Sequence, residues 1–304
     1  MFIETELQEL RRQRFAPAAL IGYARALSRH VRATWDSNPG AVRSVWSLAL
    51  VFFAVDFVAS AAVALRLEPQ LGVEVFLLTA AMILISFAGV SASLDLLRDR
   101  RGFRLSAINL PIALTLLRLA MLPGILLFLL ERRFLLALSA FVIAALSDVA
   151  DGALARRWDQ CTPLGTVLDP VVDIVFNLAI FAGLYAAGLL PGWAFAMAGL
   201  RYGILLAGGA WLYLFVGPVR IQPTLFGRLT GVVLSALVGL LTLLHVVRGA
   251  LAARLVPLTE IALGVLLAVT VAHVIVLGWH NLRLLTGRVE AAGRVVGDVR
   301  WSGH

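Results

Sequence analysis

Five of the chain's 18 acidic residues fall within the 26 positions from Asp148 to Asp173, where an even spread would put one or two. Asp148 and Asp151 stand three apart, Asp169 and Asp173 four apart. On helices, each spacing puts a pair on one face. The short polar stretch between them, ending at Pro163, predicts two antiparallel helices whose acidic faces meet. Carboxylates gathered in this way repel one another. At the centre of a bilayer each would also cost roughly 2.5–3.5 kcal/mol. Arg156 and Arg157 can offset two charges at most, and neighbours in a helix do not share a face. Divalent cations meet the remaining need. An all-oxygen donor set without histidine suits Mg²⁺ or Mn²⁺ rather than zinc. Four carboxylates suit two ions about 3.5–4 Å apart, a spacing that clamps phosphoryl oxygens. Metal-dependent catalysis is therefore the leading expectation, with a divalent-cation path and a structural ion-pair network as alternatives. Asp159 reads as a solvated turn residue, and Cys161 as incidental.

The elements that must carry these residues are membrane helices. Hydrophobic residues make up 61% of the 304, charged residues only 14%, and mean hydropathy is +0.92. A soluble domain has about 25% charged residues. Runs of about 20 apolar residues predict eight spans, at 44–65, 72–94, 108–130, 134–152, 166–189, 193–216, 229–247 and 257–282. Breakers such as Pro69, Gly102, Pro163, Pro191, Pro218 and Pro257 fall between them. All 26 basic residues are arginine, and the net charge is +8. With the long apolar runs, that excess points to an anionic bilayer surface and not to nucleic acid. Placing both termini in the cytoplasm puts 19 arginines on the cytoplasmic side and five opposite, which sets the orientation. The aspartates then face the cytoplasm, in what composition suggests is a bacterial inner membrane. Residues 1–43 read as an interfacial amphipathic segment, with Phe15, Leu20, Ile21, Tyr23 and Leu27 inward. Residues 286–304 read as a cytoplasmic tail. One cysteine excludes an intrachain disulfide.

The full pattern is Asp148-x2-Asp151-Gly152-x2-Ala155-Arg156-x8-Gly165-x3-Asp169-x3-Asp173. It resembles, at every fixed position and spacing, the motif of the CDP-alcohol phosphatidyltransferase family. Pro111-x3-Thr115-x2-Arg118-x4-Pro123 is similar to the family's preceding helix, and Gly227-Arg228-Leu229-Thr230 to a downstream cytoplasmic segment. The resemblance implies an all-α, six-span core at 105–285, preceded at 44–104 by two extra transmembrane helices and a basic loop. It also implies a homodimer. The implied reaction moves a phosphatidyl group from CDP-diacylglycerol, or another CDP-alcohol donor, to an acceptor alcohol and releases CMP.

The same resemblance assigns roles. Asp148, Asp151, Asp169 and Asp173 would hold two Mg²⁺ or Mn²⁺ ions, with Asp173 as general base. Gly152, Ala155 and Gly165 would leave room for the nucleotide, Arg156 would grip a phosphate, and Thr115 would lie near the nucleotide. Thr115 could instead simply bond its own backbone. Arg118, Arg201 and Arg228 are candidates for an acceptor phosphate or lipid headgroup. For the first two the alternative is pairing with the aspartates or with carbonyls; for Arg228 it is a positive-inside anchor. Two positions depart from the pattern: Ile174 stands where phosphate-accepting members often carry lysine, and Ile112 where asparagine is frequent. The wording around the motif leans to glycerol 3-phosphate as acceptor. A catalytically silent lipid-binding homologue is the remaining alternative. Asp56 and Glu74, in the two extra spans, are expected to pair with each other or with an arginine.

Overall fold

Proline sets where many of the helices begin. Pro17, Pro39, Pro69 and Pro163 each occupy the first helical position, and Pro111 the second. There the missing N–H costs nothing and the fixed φ already suits a helix. In the computed structural model, which describes residues 12, 16–211, 225–247 and 249–299, nine helices follow in order. They are α1 (Pro17–Ser37), α2 (Pro39–Arg66), α3 (Pro69–Ala92), α4 (Leu110–Leu130), α5 (Phe134–Arg157), α6 (Pro163–Ala186), α7 (Gly192–Trp211), α8 (Leu225–Val247) and α9 (Ala250–Val299). A 3₁₀ turn, Leu94–Leu96, lies between α3 and α4. Among the described residues the only β feature is one isolated bridge, Arg98 to Arg104.

Among the described residues seven helices, α2 to α6 with α8 and α9, are long and apolar enough to cross a membrane. The all-α polytopic expectation holds, and the chain is an integral membrane protein. The expected span at 193–216 falls on α7, and its last residues lie outside the described set. One boundary needs correction. Pro257, expected to open the last span, lies inside α9, which starts at Ala250 and runs to Val299. A proline removes one backbone bond from a helix, and in membranes neighbouring helices make that tolerable. Here α7 and α8 pack against α9. Pro123 and Pro170 lie inside α4 and α6 in the same way.

Helix α4 is the hub, packing on α3, α5 and α6. Its face toward α5 and α6 contributes Leu122, Ile125 and Leu129 to a core with Phe141, Phe176 and Phe181. Its other face joins the two extra spans. Ala41, Val45 and Ala49 of α2 and Ile83 and Phe87 of α3 share a second core with Ile112, Leu116 and Leu164. The α2–α3 approach is close at Gly72, where a Cβ would sit 2.5 Å from the Ala64 Cβ and 2.7 Å from the Ser60 carbonyl oxygen. Asp56 and Glu74 each bond within their own helix: Ser60 Oγ donates to Asp56 at 3.2 Å, and Gln70 Nε2 to Glu74 at 2.8 Å.

The α3–α4 connection is strapped from the N-terminal side. Trp35 Nε1 donates to the Ser91 carbonyl at 2.7 Å, and Asn38 Nδ2 to the Leu105 carbonyl at 2.9 Å. The Ile108 N–H donates to Ser44 Oγ at 3.0 Å. These contacts fix the entry into α4, the helix that reaches into the aspartate cluster.

Candidate active site

The cluster is built from three helices at one end of the bundle. The C-terminal part of α5 carries Asp148 and Asp151, the N-terminal half of α6 carries Asp169 and Asp173, and α4 inserts Thr115 and Arg118 between them. At about 1.5 Å per residue, Arg118 lies roughly 12 Å along α4 from its start, so the site is recessed two turns inside the helix ends. Thr162 caps α6 by accepting from the Gly165 N–H at 3.1 Å, which fixes where that helix begins.

Arg118 is the central cation. Its side chain is 3% exposed, and its Nη2 lies 2.5 Å from Asp148 Oδ1 and 3.0 Å from Asp151 Oδ2. Its Nη1 donates to Asp173 Oδ1. Asp151 is nearly as buried as the arginine, whereas Asp148 and Asp173 are about half exposed. The sequence leaves Arg118 between an acceptor phosphate and the aspartates, and the structure pairs it with three aspartates. One guanidinium against four carboxylates leaves a formal excess of three negative charges.

Thr115 joins the two acidic helices. Its Oγ1 lies 3.1 Å from Asp151 Oδ2, 3.2 Å from Asp169 Oδ1 and 3.1 Å from the Pro111 carbonyl oxygen. A hydroxyl has one proton to donate, so at most one of these three contacts is a hydrogen bond at a time. The others crowd oxygen against oxygen, which a cation between Asp151 and Asp169 would relieve. With the hard donor set and the excess charge, this makes the residues a fit for divalent ions. As the side chains stand, no three acidic, histidine or cysteine residues among the described ones form a group able to hold a metal ion; Asp148, Asp151 and Asp173 face Arg118 instead.

Beside the cluster lies an open cleft of about 380 Å³, counting the solvent space at its mouth. Asp151 and Asp169 line it, as do the small residues Gly152, Ala155 and Gly165, with Pro111 and Ile112 from the first turn of α4. The three atoms nearest a Cβ at Gly152 would all belong to the Arg156 guanidinium, the first at 3.3 Å. Arg156 is exposed and has no charge partner among the described residues. Ile112 is both a cleft residue and a core residue, 1% exposed.

Two cleft residues escape a reading of the sequence. Asn109 caps α4 by accepting from the Ile112 N–H, and its Nδ2 donates to the Gln160 carbonyl at 2.7 Å. Gln160 lines the cleft with its backbone held at both ends, since its N–H donates to the Ala155 carbonyl at 2.9 Å. The one signal for them is an asparagine just ahead of a proline at a helix start. Asp159 sits in the exposed turn, paired with Arg100 at 2.8 Å. Arg201, on α7, lies outside the aspartate network. Its Nε and Nη1 are buried without a hydrogen-bond partner, and its guanidinium carbon is 5.1 Å from the Tyr202 ring centre. Arg228 is on α8, with its side chain outside the described residues.

The six motif-bearing and following helices correspond to a known sequence family. The model for the CDP-alcohol phosphatidyltransferase family matches residues 108–277, more than half of the chain. The chain belongs to this family. A relative from Aquifex aeolicus, named CDP-diacylglycerol–glycerol-3-phosphate 3-phosphatidyltransferase, is 32% identical over 130 residues, 42% of this chain and 71% of that protein. A like-named protein from Pectobacterium atrosepticum is 49% identical over 70 residues, 22% of this chain and 38% of its own. A CMP-forming cardiolipin synthase from Streptomyces coelicolor is 38% identical over 84 residues, 28% of this chain and 36% of its own. For the latter two, the chain spans little more than a third of the relative's length. As a CDP-alcohol phosphatidyltransferase family member, the chain has the enzyme class of a membrane transferase of phospholipid biosynthesis. The family generally depends on a divalent metal.

Proposed function

We propose that this family member transfers a phosphatidyl group from CDP-diacylglycerol to an acceptor alcohol and releases CMP, at the cytoplasmic face of a bacterial inner membrane. The observation that carries the reading is the gathering of all four motif aspartates around Thr115 and Arg118, beside a cleft walled by Gly152, Ala155 and Gly165.

Asp148, Asp151 and Asp169 would hold two Mg²⁺ or Mn²⁺ ions, with Asp173 beside them. When bound, such ions neutralise a pyrophosphate and stabilise the charge that develops on the departing phosphate. The protein's own groups do the rest. The small cleft residues admit the cytidine, and exposed Arg156 is placed to grip a phosphate with its planar fork. Thr115 orients Asp151 and Asp169 relative to each other. Asp173 accepts the proton of the acceptor hydroxyl as that oxygen attacks the lipid-side phosphorus, while Arg118 holds the carboxylate in position. A carboxylate is a weak base, so most of the acceleration comes from positioning and charge neutralisation.

Glycerol 3-phosphate is the acceptor we favour. It matches the relatives from Aquifex and Pectobacterium, and Arg201 offers two buried, unpartnered N–H groups for a phosphate. A lipid acceptor such as phosphatidylglycerol is the second reading. It is favoured by the cardiolipin synthase likeness and by Ile174, which lies against the apolar core where a phosphate-binding lysine would otherwise follow Asp173. The test is CMP release by the purified protein from CDP-diacylglycerol with Mg²⁺ or Mn²⁺. Glycerol 3-phosphate, phosphatidylglycerol, serine and inositol phosphate are offered in turn. Release with glycerol 3-phosphate supports the first reading and release with phosphatidylglycerol the second. No release with any acceptor refutes both, and metal-ion flux in proteoliposomes would then favour a transporter.

A further inference from the structure

The four carboxylates have a cation among them already, and it belongs to the protein. Arg118 lies within ion-pair distance of Asp148, Asp151 and Asp173, and is all but closed to solvent. Its Nε remains buried without a hydrogen-bond partner, so the guanidinium is not held at all of its donors. Arg118 occupies one oxygen each of Asp148, Asp151 and Asp173, so a divalent ion on these carboxylates would compete with it for them. Asp151 Oδ2 is the clearest case, being shared by Arg118 Nη2 at 3.0 Å and Thr115 Oγ1 at 3.1 Å.

We propose that Arg118 is a displaceable internal counter-ion. It ties the acidic ends of α5 and α6 together while the metal site is empty, and yields Asp148 and Asp151 when divalent ions load. This deepens the proposed function and rests on its metal-binding aspartates. Four carboxylates with no counter-charge among them would drive α5 and α6 apart in a low-dielectric setting. A guanidinium is the side chain best able to span several carboxylates at once, because its five donors lie in one plane. It cannot share an oxygen with a second cation without strong repulsion. Loading therefore requires it to move, and the flexible arginine stem on α4 permits that without backbone change. The bare protein is protected from splaying, and the cost is weaker metal affinity.

The test uses the full-length protein in detergent, stripped of metal with EDTA and titrated with Mn²⁺, with free Mn²⁺ read by electron paramagnetic resonance. A unit charge at about 4 Å is worth about 1 kcal/mol even at the dielectric of water, a roughly 5-fold change in affinity. Arg118→Gln should thus bind Mn²⁺ at least about 5-fold more tightly than the unmutated protein, yet unfold at a lower temperature when metal-free. Arg118→Lys, a point charge unable to span three carboxylates, should fall between the two in both readouts. Arg156→Gln is the control. It removes a neighbouring arginine that pairs with none of the four aspartates, and screening should keep its effect on Mn²⁺ affinity well below that of Arg118→Gln. Unchanged or weaker Mn²⁺ binding by Arg118→Gln overturns the inference, as does an equal tightening by Arg156→Gln. In either case the proposed reaction stands, because the unmutated protein still binds Mn²⁺. No Mn²⁺ binding by the unmutated protein overturns the inference and the metal reading together. If Arg118→Gln does not fold even with Mn²⁺, the lysine variant decides on the same two readouts.

Discussion

Replacing Thr115 with valine isolates the contact between the two acidic helices. The side chain is 1% exposed, and valine matches its shape while deleting the hydroxyl that faces Asp151 and Asp169 at 3.1 and 3.2 Å. One hydroxyl proton makes one hydrogen bond at a time, so one bond to a charged acceptor is lost, worth about 1.5–3 kcal/mol. Relief of the oxygen crowding offsets part of this, because the hydroxyl oxygen leaves with its proton. The expected stability loss is therefore small, about 1–2 kcal/mol. The effect on turnover should be larger. Asp151 and Asp169 lose their shared reference point, and carboxylates misplaced by a fraction of an ångström forfeit positioning. A loss of about 1.4–2.7 kcal/mol in the transition state corresponds to a roughly 10- to 100-fold fall in kcat. Thr115→Ser keeps the oxygen and should stay within about 3-fold, less than about 1 kcal/mol, of the unmutated rate. The assay is CMP release from CDP-diacylglycerol, alongside thermal unfolding with EDTA and with Mg²⁺. A valine variant that turns over normally would show that the hydroxyl serves only the Pro111 carbonyl of its own helix. A serine variant as slow as the valine one would also refute the reasoning.

Asp151→Asn keeps the shape and removes one of four like charges, so the protein should remain folded while CMP release falls at least about 100-fold, or about 2.7 kcal/mol. Near-normal turnover would remove Asp151 from the machinery. Gly152→Ala has the movable Arg156 guanidinium as its nearest neighbour. It should leave the unfolding temperature almost unchanged and raise KM for the CDP-linked donor, and an unchanged KM would show that the donor does not pass this wall. Gly72→Leu has no room, because Ala64 and the Ser60 backbone lie within 2.8 Å of a Cβ there. It should destabilise the α2–α3 pair by several kcal/mol, within the range of about 1–3 or more for overpacking, as read by thermal unfolding or proteolysis between α3 and α4. Chelation with EDTA should abolish CMP release reversibly, with recovery on Mg²⁺ or Mn²⁺. Activity that survives exhaustive chelation would refute the metal assignment.

Local pattern carries a great deal in this chain. Runs of about 20 apolar residues place most of the expected spans on helices whose ends lie within a few positions, since a helix in a bilayer satisfies its own backbone whatever its neighbours do. The exception is Pro257, whose effect depends on the helices packed around it. The three- and four-residue spacings of Asp148, Asp151, Asp169 and Asp173 likewise give each acidic pair a common face from helical geometry alone. Asn109, in contrast, is hard to single out. Its cap on α4 is visible in principle, but its bond to the Gln160 carbonyl joins segments 51 positions apart.

What the sequence determined by itself, then, was the membrane class, most of the span positions and the shared face of each acidic pair, because each depends on periodicity within one or two adjacent helices. Only the tertiary structure decided that Arg118, from the preceding helix, sits among those carboxylates and that Thr115 bridges two of them. It also decided that α2 and α3 share a core with Ile112, Leu116 and Leu164 beneath the site. Those facts depend on the rotation and depth of one helix against another, which are set by side-chain packing over the whole contact and leave no mark in the residue spacing along either helix.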